Sequence, residues 1–211
     1  MIPVKICGIT REKDARLAAQ LGAAALGFIF YPLSPRYITP EKARAIAEAV
    51  GSHPRKVGVF VNASIEEINH IVVKAGLDLV QLSGNEPPEV CRRVTAPVIK
   101  AFRVGTDFQP ALAEPYDVHA ILLDTHSPGS FGGTGKTFEW SRINRDAFTR
   151  PLILSGGLNS RNILRGIEAL RPHAVDVNSG VEASPGVKDH VKMNRLFAVL
   201  SQTQADDEQV F

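Results

Sequence analysis

At 211 residues, 44% hydrophobic and 22% charged, the chain can bury a sizeable core as one large domain without disulfide or metal staples. A net charge of +2 with scattered lysines and arginines argues against a nucleic-acid partner. Two cysteines and six histidines that form neither Cys-x-x-Cys nor His-Glu-x-x-His argue against a structural metal.

The N-terminus, MIPVKICGIT, has no apolar run of signal length, and no segment reaches the ~18 consecutive apolar residues of a membrane span. The expected compartment is therefore the cytoplasm, away from any membrane, with Cys7 and Cys91 as free thiols.

Along the chain, short β-branched runs alternate with stretches of helical period. VKIC (4–7) is the first strand candidate, followed by REKDARLAAQLG, which sets Ala15, Leu17, Ala18 and Leu21 on one face and stops at Gly22. ALGFIF (25–30) leads to TPEKARAIAEAV, with Thr39 as N-cap and Pro40 at the first helical position. KVGVFV (56–61) leads to SIEEINHIVVKAG, opened by Ser64 and closed by Gly76. LDLVQL (77–82) precedes EPPEVCRRV. PVIKAF (97–102) and HAILLD (119–124) are followed by weakly marked helices near 107–113 and 138–146. PLILSG (151–156) precedes NSRNILRGIEAL, and AVDVNS (174–179) precedes KDHVKMNRLFAVL.

Eight strands that each need a crossover helix argue for a parallel sheet covered on both faces. That many units in this length fit an α/β fold of the (βα)8 TIM-barrel type, a single domain over 1–200 with a polar, frayed tail over 201–211. The alternative is a flavodoxin-like or Rossmann sheet. The first βα turn, CGITREKD, lacks the Gly-x-Gly-x-x-Gly fingerprint of the latter.

A TIM barrel works at the C-terminal ends of its strands. Cys7 ends strand one, Gln81 lies near the end of strand four, Asp124 ends strand six, Asp176 lies in strand eight, and Arg36 sits in the loop after strand two. A lone cysteine is more often a small buried hydrophobe. A strand terminus before Gly8 is nevertheless an active-site address, and Lys5, two residues away, shares its face. Cys91, in a helical stretch, keeps the structural reading. A lone Asp124 would serve as a turn cap, but a long Gly-rich loop, THSPGSFGGTGKTF (125–138), follows it. That loop is not a P-loop, because the glycine required at position 130 is Ser130; it reads as a lid. Phosphate fits the loops after strands seven and eight, through Ser155, Gly156, Gly157, Ser179 and Gly180, where glycine lets main-chain N–H groups approach an anion.

KICGIT (5–10), SPRYI (34–38), GVFVN (58–62), VQLSGNE (80–86), LLD (122–124), GGTGKTFEW (132–140), LSGGL (154–158) and DVNSGVE (176–182) follow one another in the order and spacing of phosphoribosylanthranilate isomerase. The chain resembles that family from about residue 3 to 200. The resemblance implies a tryptophan-biosynthetic Amadori rearrangement of N-(5-phosphoribosyl)anthranilate, with no cofactor and no metal. It implies Cys7 as general base, Asp124 as general acid, Arg36 at the anthranilate carboxylate, Asp176 at the ribose hydroxyls, and Gly156, Gly157 and Gly180 against the phosphate. The partner is then a small molecule, and the chain a monomer or homodimer. One departure stands out: the family usually carries Gln-Leu-His-Gly in strand four, and this chain has Ser83 in place of the histidine. Other expectations compatible with the phosphate loops are a different phosphosugar-handling barrel, or a non-catalytic phosphate-binding barrel.

Overall fold

A computed structural model of the chain describes residues 1–125, 139–203 and 210–211. Eight parallel strands follow one another around a ring: β1 (Val4–Ile6), β2 (Ala25–Ile29), β3 (Arg55–Phe60), β4 (Leu79–Leu82), β5 (Val98–Val104), β6 (Ala120–Thr125), β7 (Leu152–Leu154) and β8 (Ala174–Val177). β8 pairs back to β1, Val4 opposite Val175 and Lys5 opposite Asp176, so the barrel is closed and the open-sheet alternative falls.

Of the helices α1 (Glu12–Gln20), α2 (Pro40–Val50), α3 (Ile65–Ala75), α4 (Pro88–Arg93), α5 (Ile163–Leu170) and α6 (His190–Leu200), α2, α3 and α6 open on side-chain caps. Thr39 Oγ1 accepts from Lys42 N at 3.3 Å and Ser64 Oγ from Glu67 N at 3.1 Å, caps worth about 1 kcal/mol each. Gly76, at φ 65°, closes α3 in the left-handed conformation that a side chain resists. Between β5 and β6 there is only a 3₁₀ turn, Pro110–Ala113, and among the described residues ahead of β7 there are two more, Trp140–Arg142 and Arg145–Ala147. These segments lack the long apolar stripe that pays for an α-helix by packing, which is why the sequence marked them weakly.

Five strand candidates overran the observed strands at their C-terminal ends, and the overrun residues are Cys7, Phe30, Val61, Ser155, Gly156, Asn178 and Ser179. All leave the ladder at the same rim. The alternation of side chains divides each strand between two cores. Leu26, Phe28, Phe60, Leu82, Ile121 and Leu123 point outward and are buried beneath the helices. Ala25, Val57, Leu79, Ile99, Leu122, Ile153 and Ala174 point inward and fill the N-terminal half of the barrel.

Val210 joins this inner plug with 1% of its surface exposed, and its carbonyl lies 3.2 Å from His119 Nε2. The expectation of a frayed end is therefore corrected for the last two residues. Surrounded by polar sequence, Val210 gives no periodic signal; it is buried because the base of the barrel offers an apolar socket. Residues 126–138, which include the expected lid, and 204–209 lie outside the described residues. Val210→Asp should bring a charge into that socket and lower unfolding stability in urea by about 2–4 kcal/mol. Substrate turnover below the transition should stay within about twofold, because the socket is at the opposite end from the rim.

Candidate active site

The inward-facing residues change character halfway up the barrel. Above the apolar plug stand Lys5, Gln81, Asp124 and Asp176, and with the rim residues Cys7 and Ser155 they surround a cavity of about 310 Å³ or lie directly beneath it. The cavity wall also includes Ile29, Tyr31, Arg36, Val59, Ser83 and Asn178.

β1 contributes two of these groups. Cys7 is 4% exposed and Lys5 is fully buried beneath it. Register places Asp176 of β8 opposite Lys5, and the ammonium meets the carboxylate at 2.9 Å. Burial alone would lower the Lys5 pKa, but Asp176 and Cys7 hold it above the ordinary value. Burial pushes the Cys7 thiol up; Lys5 acts against that rise, Asp176 adds to it, and Lys188 also opposes it.

Asp124 sits near the C-terminal end of β6, half-buried at the rim. Burial pushes its carboxyl up to about 6, with Asp176 adding to the rise and the Thr125 N–H, Lys5 and Arg103 acting against it. Its Oδ1 accepts from Thr125 N at 2.7 Å. The neighbouring turn needs glycine twice over: Gly156 has φ 89°, and a Cβ there would lie 2.3 Å from Thr125 Oγ1 and 2.9 Å from Asp124 Oδ1.

Arg36 is held from behind. Its Nε and Nη2 form a bidentate pair with Glu182, with Nη2 at 2.8 Å from Oε2. Glu182 Oε1 also accepts from Lys188 Nζ at 3.0 Å and from Gly186 N at 3.1 Å. Burial alone would raise the Glu182 pKa, but Arg36 and Lys188 hold it below the usual carboxylate range. Arg36 and Lys188 share one carboxylate, and burial still lowers the Lys188 pKa from its ordinary value against the pull of Glu182. Glu182 and Lys188 lie on a short hairpin, β9 (Glu182–Ser184) and β10 (Val187–Lys188), and no sequence pattern signalled their convergence on Arg36.

Gln81 Nε2 donates to Ser83 Oγ at 3.0 Å, while Gln81 Oε1 is buried without a partner among the described residues. Ser155 Oγ lies 3.4 Å from Asp176 Oδ2, which aims it at the inner carboxylate. Gly156, Gly157 and Ser179 line the cavity. Gly180 is set behind it: a Cβ there would lie 1.9 Å from the carbonyl oxygen of Leu158, so this glycine lets the loops after β7 and β8 touch. The rim thus brings Cys7, Arg36, Gln81, Asp124, Ser155, Gly156, Gly157, Asp176 and Ser179 around one cavity. Among the described residues, no group of three His, Cys, Asp or Glu side chains could hold a metal ion, and no helix is long and apolar enough to cross a membrane.

The family model for N-(5'-phosphoribosyl)anthranilate (PRA) isomerase matches residues 4–199. The chain belongs to this family. The family relative from Syntrophus aciditrophicus is 46% identical over 205 residues, covering 97% of this chain and 89% of the relative. The phosphoribosyl anthranilate isomerase structure from Thermotoga maritima superposes with a TM-score of 0.88 at 45% identity, over 96% of this chain and 100% of the other. A further family structure, in complex with reduced 1-(o-carboxyphenylamino)-1-deoxyribulose 5-phosphate, gives 0.85 at 42% identity over 96% and 100%.

The raised Asp124 pKa has a stability consequence that separates it from a mere turn cap. A carboxyl harder to ionise when folded contributes its full stability below about pH 4 and loses it as pH rises through about 6. Asp124→Asn should therefore stabilise the fold at pH 7 by about 1–3 kcal/mol, allowing for partial exposure. That gain should vanish below pH 4 in thermal or urea unfolding.

Proposed function

We propose that this isomerase converts N-(5'-phosphoribosyl)anthranilate to 1-(o-carboxyphenylamino)-1-deoxyribulose 5-phosphate, the Amadori step of tryptophan biosynthesis, with Asp124 as acid and Cys7 as base. The observation that carries the assignment is the placement of an acid with an elevated pKa and a thiol beside a buried ammonium around one cavity. The match to the isomerase family over residues 4–199 supplies the reaction.

The reaction moves protons within one sugar. Protonation of the furanose ring oxygen releases it from C1′ and leaves an iminium between that carbon and the anthranilate nitrogen. A carboxylic acid with a pKa of about 6 retains a protonated fraction near neutral pH, and Asp124 supplies that proton. The iminium acidifies the C2′–H bond. The Cys7 thiolate removes that proton, and the electron pair moves into the C1′–C2′ bond to give an enolamine. Tautomerisation then yields the 2′-ketone. Neither group needs a metal or an electron carrier for its step.

The two ends of the substrate hold the sugar between these groups. Arg36, its Nε edge fixed by Glu182, turns its guanidinium toward the anthranilate carboxylate. Ser155, Gly156, Gly157 and Ser179 form the phosphate end, where small residues admit an anion to main-chain N–H groups, and Gly180 behind them lets the two loops meet. Asp176 Oδ2 and Gln81 Oε1, which has no partner among the described residues, offer acceptors to the ribose hydroxyls. Ser83, which replaces the family's usual histidine, fixes the Gln81 amide by accepting from Nε2.

Fluorescence-monitored turnover of phosphoribosylanthranilate tests the acid–base assignment. Cys7→Ser and Asp124→Asn should each lower kcat by about 10²–10⁴-fold. Rates within a few-fold of wild type for either would remove that residue from the proton transfers. Arg36→Met should raise KM for the carboxylated substrate by about tenfold or more, with a smaller effect on kcat, because it removes a charged pair made throughout the reaction.

A further inference from the structure

Cys7 occupies a small apolar cluster with Ile29 and Val59, a setting that disfavours a thiolate. What lies beneath it is not apolar. Lys5 is fully buried, two residues back on the same face of the chain, and is tethered to Asp176 at 2.9 Å across the β1–β8 seam. The neighbouring strand supplies the room. A Cβ at Gly27 would stand 2.8 Å from Cys7 Sγ and 3.1 Å from Lys5 Cε. The thiol and the end of the lysine stem therefore crowd the same notch, which is open only because residue 27 has no side chain.

A buried ion pair is no general aid to folding: apolar side chains of like volume often serve as well or better. The pair's place directly under a thiol calls for another reason. We propose that Lys5 is a positioning residue for the reaction: anchored by Asp176 and lodged in the Gly27 notch, its ammonium holds the Cys7 thiolate in place and balances its charge while the C2′ proton is taken. The proposal rests on Cys7 being the base. The charged groups that bear on the thiol are Lys5 from β1, Asp176 from β8 and Lys188 from β10. From β2 and β3 it meets Gly27, Ile29 and Val59, which carry no charge. Lys188 is committed to Glu182 and to Asn178, whose Oδ1 and carbonyl oxygen accept at 3.1 and 3.2 Å, so Lys5 is the cation that shares the notch.

The test is the pH dependence of Cys7 alkylation by iodoacetamide in a Cys91→Ala background, with turnover measured on the same samples. Lys5→Met should move the alkylation midpoint upward by about one pH unit or more, and Lys5→Arg should bring it most of the way back. Should Lys5→Met fail to fold with Asp176 left unpaired, the Lys5→Met/Asp176→Asn double variant removes the stranded carboxylate, and its midpoint should still lie above wild type. A midpoint unchanged in the variant that folds, or a Lys5→Arg protein indistinguishable from Lys5→Met, overturns the proposal. A raised midpoint with unchanged kcat would uphold the action of Lys5 on the thiol and overturn Cys7 as the base, so the two readings fail separately.

Discussion

Closure of eight parallel strands is the constraint on which the molecule depends. A strand alternates its side chains between two faces, and closing the sheet turns one of those faces into the inside of a tube. Every second residue of each strand must then share a narrow axis with residues from the others. Groups far apart in sequence, such as Lys5 and Asp176, become cross-strand neighbours because β8 pairs with β1. Without closure the seam would not exist, and neither would the ion pair at its centre.

The tube is filled in two registers. Alanines and branched aliphatics from seven strands, together with Val210, make an apolar plug at the N-terminal end. The rim carries polar and titratable groups that a folding criterion alone would not choose. Burial raises the Asp124 and Cys7 pKa values together, which favours a neutral acid and penalises the thiolate. A cation below the thiol opposes the second effect without cancelling it, and it also acts against the first, which still leaves the Asp124 carboxyl at about 6.

The same economy governs Arg36. A guanidinium facing an open cavity alone would sample many rotamers, and ordering it would cost entropy on each binding event. Pairing with Glu182 sets that order in advance. Lys188 braces the same carboxylate from the other side, so the order of the pair does not rest on one contact.

The strand order, the helix caps at Thr39 and Ser64, and the rim address of Cys7, Gln81, Asp124 and Asp176 were legible in the sequence, because alternation, capping and strand ends are local patterns. So were the family motifs. What no local pattern carried was who meets whom. The Glu182 and Lys188 hairpin reads as an unremarkable loop until it folds back onto Arg36, and Val210 reads as part of a polar tail until the barrel's base buries it. Gly27 looks like any strand glycine, and Gly180 like any turn. Only the packed structure shows one as the notch shared by Cys7 and Lys5, and the other as the point where two loops touch. The sequence determined which groups would stand at the rim; the closed barrel decided their partners, because those partners are fixed by register around the tube rather than by distance along the chain.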